Sequence, residues 1–201
     1  MQADRTRRWT QVVAGLAVWG LVALPAAATE PICEPEQALA FEFWIGDWQI
    51  EQRILRQDGT WIELPARTTV TRVLDGRALL ERWQGEVEFF WFGMTAPAPM
   101  TGFSYRACDP QTNRWSIYWA DSLTPGIAAP YVGSFAAGRG EFFRDSPAEG
   151  RLSRISFSDI APDSVFWALA ISSDEGRTWT DVWTMKMRRS VSPATAPDSE
   201  R

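Results

Sequence analysis

Glu81 and Asp121 are the two acidic side chains whose type and spacing could do chemistry, and that chemistry would be carboxylate acid–base work. Each stands two residues from a tryptophan, Trp83 and Trp119 respectively, so in an extended chain each carboxylate shares a face with an indole. Two carboxylates with separated pKa values across one pocket are what a hydrolase, lyase or isomerase acting on a sugar or polyketide-like substrate would need. Arg82, Tyr105 and Arg154 are further polar candidates in the same kind of segment. An inward charge must be paired or must contact a ligand, since burying it alone costs several kcal/mol. The alternative is that these charges face solvent or form one internal salt bridge.

The chain has no histidine. That excludes a Ser-His-Asp triad, a Cys-His pair, histidine-ligated haem and most zinc or non-haem iron chemistry. Two cysteines alone cannot complete a tetrahedral zinc site. Catalysis would have to rest on carboxylates, hydroxyls, tyrosine, Lys186 or arginine, and no catalytic motif is recognisable, so no catalytic residue is assigned and no metal or cofactor is expected. The formal charge is −5, and Lys186 is the only lysine. Without a basic stripe, nucleic acid and an anionic membrane surface are poor partners.

Tryptophan is abundant, with 12 in the chain. Trp83, Trp115, Trp119, Trp167 and Trp183 fall mid-segment in stretches that alternate apolar and polar residues. Several should point to one interior, where they either fill the core or line a cavity for a small apolar or amphipathic molecule. With Glu81, Tyr105, Asp121 and Arg154 they form the candidate ligand-binding set.

Period-2 alternation places these residues on strands, and a train of hairpins without intervening helices must close or stack to hide its apolar face. An antiparallel up-and-down barrel of eight to ten strands is the expected fold, over residues 41–189. Residues 1–28 read as a signal peptide: Arg5, Arg7 and Arg8 precede an apolar run from Val12 to Leu24 and small residues at Ala26 to Ala28. That implies a periplasmic or secreted protein. Residues 29–40 form a lead, and residues 190–201, rich in Pro, Ser and Ala, are expected to be disordered.

Phe41 to Gly46 reads as a 3₁₀ turn or a plug over the barrel mouth. Asp47 to Leu55 is expected as the first strand, with Trp48, Ile50 and Ile54 on one face. Pro65 should interrupt pairing, separating a segment around Trp61 to Leu64 from one at Thr68 to Leu74. Asp75-Gly76 suits a type I′ hairpin. The longer connections Gly93 to Met100 and Asp121 to Pro130 suit the rim of a binding site, or simply join strands. Cys33 and Cys108 suit an oxidising compartment, where a bridge would tie the lead to the barrel wall; two unpaired thiols are the alternative. Ser172-Ser-Asp-Glu-Gly-Arg-Thr-Trp179 fits the Asp-box pattern at every fixed position. A single copy points to a hairpin stabiliser rather than to a sialidase-type propeller.

Phe41-Glu-Phe-Trp-Ile-Gly-Asp-Trp48 resembles the Phe-x-Phe-Trp-x-Gly-x-Trp entry of a bacterial domain-of-unknown-function family with a calycin-like barrel, akin to lipocalins and fatty-acid-binding proteins. The resemblance continues through Leu80 to Gly85, Gly102 to Tyr105, Trp115 to Asp121 and Ser172 to Trp179, with Trp183 behind it. It implies the barrel fold and no settled activity. Nitrobindin-like relatives of this barrel class hold haem through histidine, and this chain departs from them by having none. Glu86 to Phe92 is also longer than the family's usual link at that point.

Three functions follow as expectations. The first is an exported carrier or sensor of a small apolar or aromatic molecule. The second is the carboxylate-driven enzyme, using Glu81 and Asp121. The third is a carbohydrate- or partner-binding surface on Phe89, Phe90, Trp91 and Phe92, two of which should lie outside or in a homodimer interface if they occupy a strand.

Overall fold

A computed structural model describes residues 33–124, 126–146 and 151–190. The expected signal peptide and nearly all of the C-terminal tail lie outside them. Ten strands run in chain order: β1 (Gly46–Leu55), β2 (Trp61–Val73), β3 (Ala78–Val87), β4 (Ala98–Asp109), β5 (Arg114–Asp121), β6 (Tyr131–Ala136), β7 (Arg139–Ser146), β8 (Arg151–Ser158), β9 (Ser164–Ser172) and β10 (Thr180–Arg189). Each pairs antiparallel with its sequence neighbour, and β1 pairs with β10, so the sheet is a closed up-and-down barrel. Closure leaves no edge strand with unpaired backbone groups.

Alternation sets the inside. In β1, Trp48, Ile50, Gln52 and Ile54 are buried while Gln49, Glu51 and Arg53 are exposed. β2 is continuous through Pro65, contrary to the expected break. Pro65 stands opposite Glu51, and β3 starts to pair with β2 only at Ala66, so the proline has a strand neighbour on one side alone. At Asp75-Gly76 both residues have positive φ (54° and 86°), and the Arg77 amide donates to the Leu74 carbonyl at 3.0 Å, the signature of the expected turn. The ladder stops at Val73↔Ala78, because Leu74 also adopts positive φ.

The lead closes one end. Helix α1 (Pro35–Ala38) and a 3₁₀ turn at Glu42–Trp44 place Phe41 and Trp44, each 1% exposed, among the barrel's interior aromatics. Phe41 meets Trp115 edge-on at 5.0 Å and Phe135 at 4.8 Å between centroids. Gln37 clamps this plug to the wall: its amide exchanges hydrogen bonds with the Phe135 backbone, and its carbonyl accepts from Trp115 Nε1 at 2.9 Å. A Cys33–Cys108 disulfide joins the start of the lead to the end of β4. The plug lies at the end carrying the 74–77 and 110–113 turns, opposite the two long connections.

Phe89 to Phe92 are not on a strand. β3 ends at Val87 and the aromatics form a 3₁₀ turn (Phe90–Phe92), so strand parity does not govern which of them are buried. Only Phe89 is buried, and Phe92 is 48% exposed.

The Asp-box forms the β9–β10 turn as its pattern implies. Asp174 accepts from the Thr178 hydroxyl (2.6 Å) and amide (2.9 Å) and from the Ser172 hydroxyl (2.8 Å), Gly176 has φ +84°, and Trp179 Nε1 donates to the Gly176 carbonyl. Those donors, Thr178 foremost, hold the Asp174 carboxyl down from 3.8 to about 2. Because the folded value is the lower one, the unfolded chain binds the proton more readily. The box's stabilisation is therefore complete above about pH 4 and fades as pH falls toward 2. Asp174→Asn should flatten the melting temperature against pH across that acid window, measured by circular dichroism.

The disulfide spans a sequence separation of 75 residues. Cys33→Ser/Cys108→Ser should lose about 4 kcal/mol in urea denaturation, the chain-entropy value for a loop of that size.

Candidate functional site

Inside the barrel, above the plug, lies a cavity of about 360 Å³. It opens between the Phe90–Phe92 turn and the 122–130 connection, so both aromatic turn and long connection form its mouth. Phe92 and Ile127, 48% and 65% exposed, stand on opposite lips.

Six tryptophans line the cavity, and four of them form one connected group on its wall. Trp183 is the hub: its ring meets Trp167 at 5.2 Å, Trp83 at 5.8 Å and Phe89 at 4.9 Å, all at steep interplanar angles. A β-bulge between Asp181 and Trp183 skips Val182 in the β9 register and sets the hub's direction. Gln52, 1% exposed, fixes its orientation by accepting from Trp183 Nε1 at 2.7 Å while donating to the Glu86 carbonyl at 2.7 Å. Trp119 completes the group beside Trp83 at 6.5 Å. Its ring lies against Gly102 on β4, where a Cβ would come within 2.4 Å of Trp119 Cζ2, so only glycine leaves room.

The polar groups are few and specific. Asp121, at the rim, accepts from Trp119 Nε1 (2.8 Å) and from the amides of Leu123 (2.9 Å) and Thr124 (2.8 Å), folding the connection back on the barrel. Deeper, Glu81 forms a buried ion pair with Arg106 Nη2 and accepts from the hydroxyls of Thr68 (3.0 Å) and Ser104 (2.8 Å). Arg106 is 3% exposed, and its guanidinium carbon sits 4.9 to 5.5 Å from the ring centres of Trp44, Phe41 and Phe157. Burial pulls its pKa below the ordinary arginine value and the Glu81 charge opposes that pull; arginine nonetheless stays charged at any working pH. On the β6–β7 side, Arg144 lies with its guanidinium carbon 4.4 Å from the Tyr131 ring, and burial raises the Tyr131 phenol.

Of the sequence candidates, Glu81, Trp83, Trp119, Asp121, Trp167 and Trp183 come together on this cavity. Three do not. Tyr105 is on the outer face of β4 beside Tyr118. Trp115 points inward but at the plugged end, committed to Phe41 and Gln37. Arg154 is outside on β8, over the Trp179 ring at 4.6 Å and 3.5 Å from Glu141. Arg82, also considered, is exposed, since it alternates with Glu81 and Trp83.

Arg106, Arg144, Ser104 and Trp44 are cavity residues that the sequence reading missed. Arg106 and Ser104 had a signal: they share parity with Cys108, which must face the lead if it bridges to Cys33, whereas Tyr105 has the opposite parity. Among the described residues no group of three or more potential metal ligands comes together.

Comparison with known proteins supports the fold and stops there. No protein-family profile matches the chain, and no curated protein matches it in sequence. Among solved structures it is similar to Rv2717c from M. tuberculosis, with a TM-score of 0.53 at 16% identity over 79% of this chain and 99% of that one. It also matches an S-type phycobiliprotein lyase, CPES, from Guillardia theta (TM-score 0.49, 12% identity, 76% of this chain and 92% of that one). A DUF3598-family protein from Nostoc punctiforme aligns more loosely (TM-score 0.26, 8% identity, 77% and 99%). At 16% identity, what the chain shares with Rv2717c is the barrel fold.

Breaking the buried pair tests how dry the cavity floor is. Glu81→Leu, which strands the Arg106 charge, should cost about 3–5 kcal/mol in urea denaturation, and Glu81→Leu/Arg106→Met should recover most of that loss.

Proposed function

We propose that this protein is an exported carrier or sensor whose barrel holds one small apolar or amphipathic molecule with an aromatic body. The observation that carries the reading is the cavity itself: about 360 Å³, walled by indoles, open at one end and plugged at the other. That size lies in the ~300–1,000 Å³ range of small-molecule sites, and an apolar wall with a few oriented polar groups is their usual composition. Barrels of this strand number hold either packed side chains or one small ligand. Here the tryptophans hold one another edge-on around a space rather than filling it. Export is supported by the apolar leader in the sequence and by the Cys33–Cys108 bridge.

The carboxylate-enzyme reading is weaker on this geometry. Glu81 is occupied by Arg106, Thr68 and Ser104, and Asp121 by Trp119 and its own loop amides. Neither is free to take or give a proton without dismantling the wall.

The test is saturable binding of an aromatic and aliphatic panel, followed by calorimetry, with native mass spectrometry of freshly purified protein. One-to-one binding should be lost in Ile155→Trp, which fills the space from β8, while the circular dichroism spectrum of the barrel is retained. A wild-type protein that binds nothing in the panel and carries nothing through purification would overturn the reading.

A further inference from the structure

The wall of the cavity is short of hydrogen-bond acceptors. Four of its buried side-chain nitrogens have no partner among the described residues: Trp44 Nε1, Trp83 Nε1, and Nε and Nη1 of Arg106. All four are donors, and no side-chain oxygen of the wall is left in the same state. Leaving a buried donor without its hydrogen bond is costly, and more so when the group is charged. Such donors in a preformed cavity are a template for acceptor oxygens on whatever occupies it.

Charge points the same way. Two guanidinium groups, Arg106 and Arg144, line the cavity together with two carboxylates, Glu81 and Asp121. Among the described residues no carboxylate forms an ion pair with Arg144, whose guanidinium carbon lies 4.4 Å from the centre of the Tyr131 ring. Asp121 keeps its charge at the rim, with its oxygens turned to the indole and loop amides. Arg144 is thus the lining cation with no carboxylate paired to it among the described residues, and a negative charge entering the cavity would balance it. Arg106 is also held ready: three aromatic rings pack around its guanidinium and Glu81 takes Nη2, leaving Nε and Nη1 for a guest.

We infer that the ligand is an amphipathic monoanion of the carboxylate class. It enters with its charged head toward Arg106, Trp44 and Trp83 and leaves its apolar body among Trp119, Trp167 and Trp183. This rests on the reading of the barrel as a small-molecule site and adds the ligand's charge and orientation.

The experiment uses matched probes differing only at the head: 1-pyrenebutyrate with 1-pyrenebutanol, and dodecanoate with dodecanol. Each is titrated into the full protein by calorimetry, with tryptophan-to-pyrene energy transfer as a second readout for the first pair. The carboxylates should bind at least about tenfold tighter than the alcohols, a difference of about 1.4 kcal/mol. Arg144→Gln should narrow that gap, and Glu81→Gln/Arg106→Met, which removes the pair without stranding either charge, should abolish it while circular dichroism reports an intact barrel. Equal binding of acid and alcohol would overturn the anion inference and leave the small-molecule reading standing, the donors then being served by water. Tighter binding of the alcohols would do the same. Failure of all four probes would remove both.

Discussion

The register between the first and last strands governs everything inside this molecule. β1 and β10 run antiparallel from Trp48↔Arg189 to Ile54↔Trp183, and that seam turns an open meander into a tube. A side-chain period of two means that a slip of one residue would send Trp48, Ile50 and Ile54 outward and bring Glu51 and Arg53 into the interior. The seam also carries its own lock, since Gln52 of β1 bonds Trp183 of β10 across the barrel's inner face. Cavity, plug and indole wall all presuppose this alignment.

On that frame, aromatic packing and polar satisfaction divide the interior into two zones. At the plugged end, Phe41 and Trp44 meet Phe135, Phe142, Phe157 and Trp115 ring against ring. Toward the mouth the indoles touch at their edges and leave space. The Glu81–Arg106 pair stands between the two zones, with its carboxylate bonded to β2 and β4 hydroxyls and its guanidinium resting on the plug's rings. A buried pair of this kind adds little net stability, yet removing one member alone is costly. It therefore specifies how the plug docks more than how firmly the barrel holds.

Much of this architecture is legible in the residues. Alternation around Trp48, Trp83 and Trp119 identifies strands and their inward faces, and the Asp-box pattern identifies a turn down to its donors. The disulfide-compatible cysteines and the 3₁₀ entry at Glu42–Trp44 were also visible, as was the connection after Asp121, whereas no residue of Gly93 to Met100 lines the cavity. What was not legible depended on position along the barrel axis, which period-2 patterning does not encode. Trp115 and Trp119 share a strand and a face, yet one is sealed under the plug and the other lines open space. Tyr105 and Arg154 were named for their residue type, and the parity of their strands turns both to the outer face. Phe89 to Phe92 read as a strand because aromatic content mimics β-propensity, and only the end of β3 at Val87 reveals a turn.

The covalent tether between Cys33 and Cys108 has a consequence for traffic. By anchoring the lead across the base, it makes the barrel a blind-ended vessel with one doorway, framed by Phe92 and Ile127. In the proposed carrier, a guest would depart by retracing its arrival, so whatever delivers it and whatever collects it would approach the same lip.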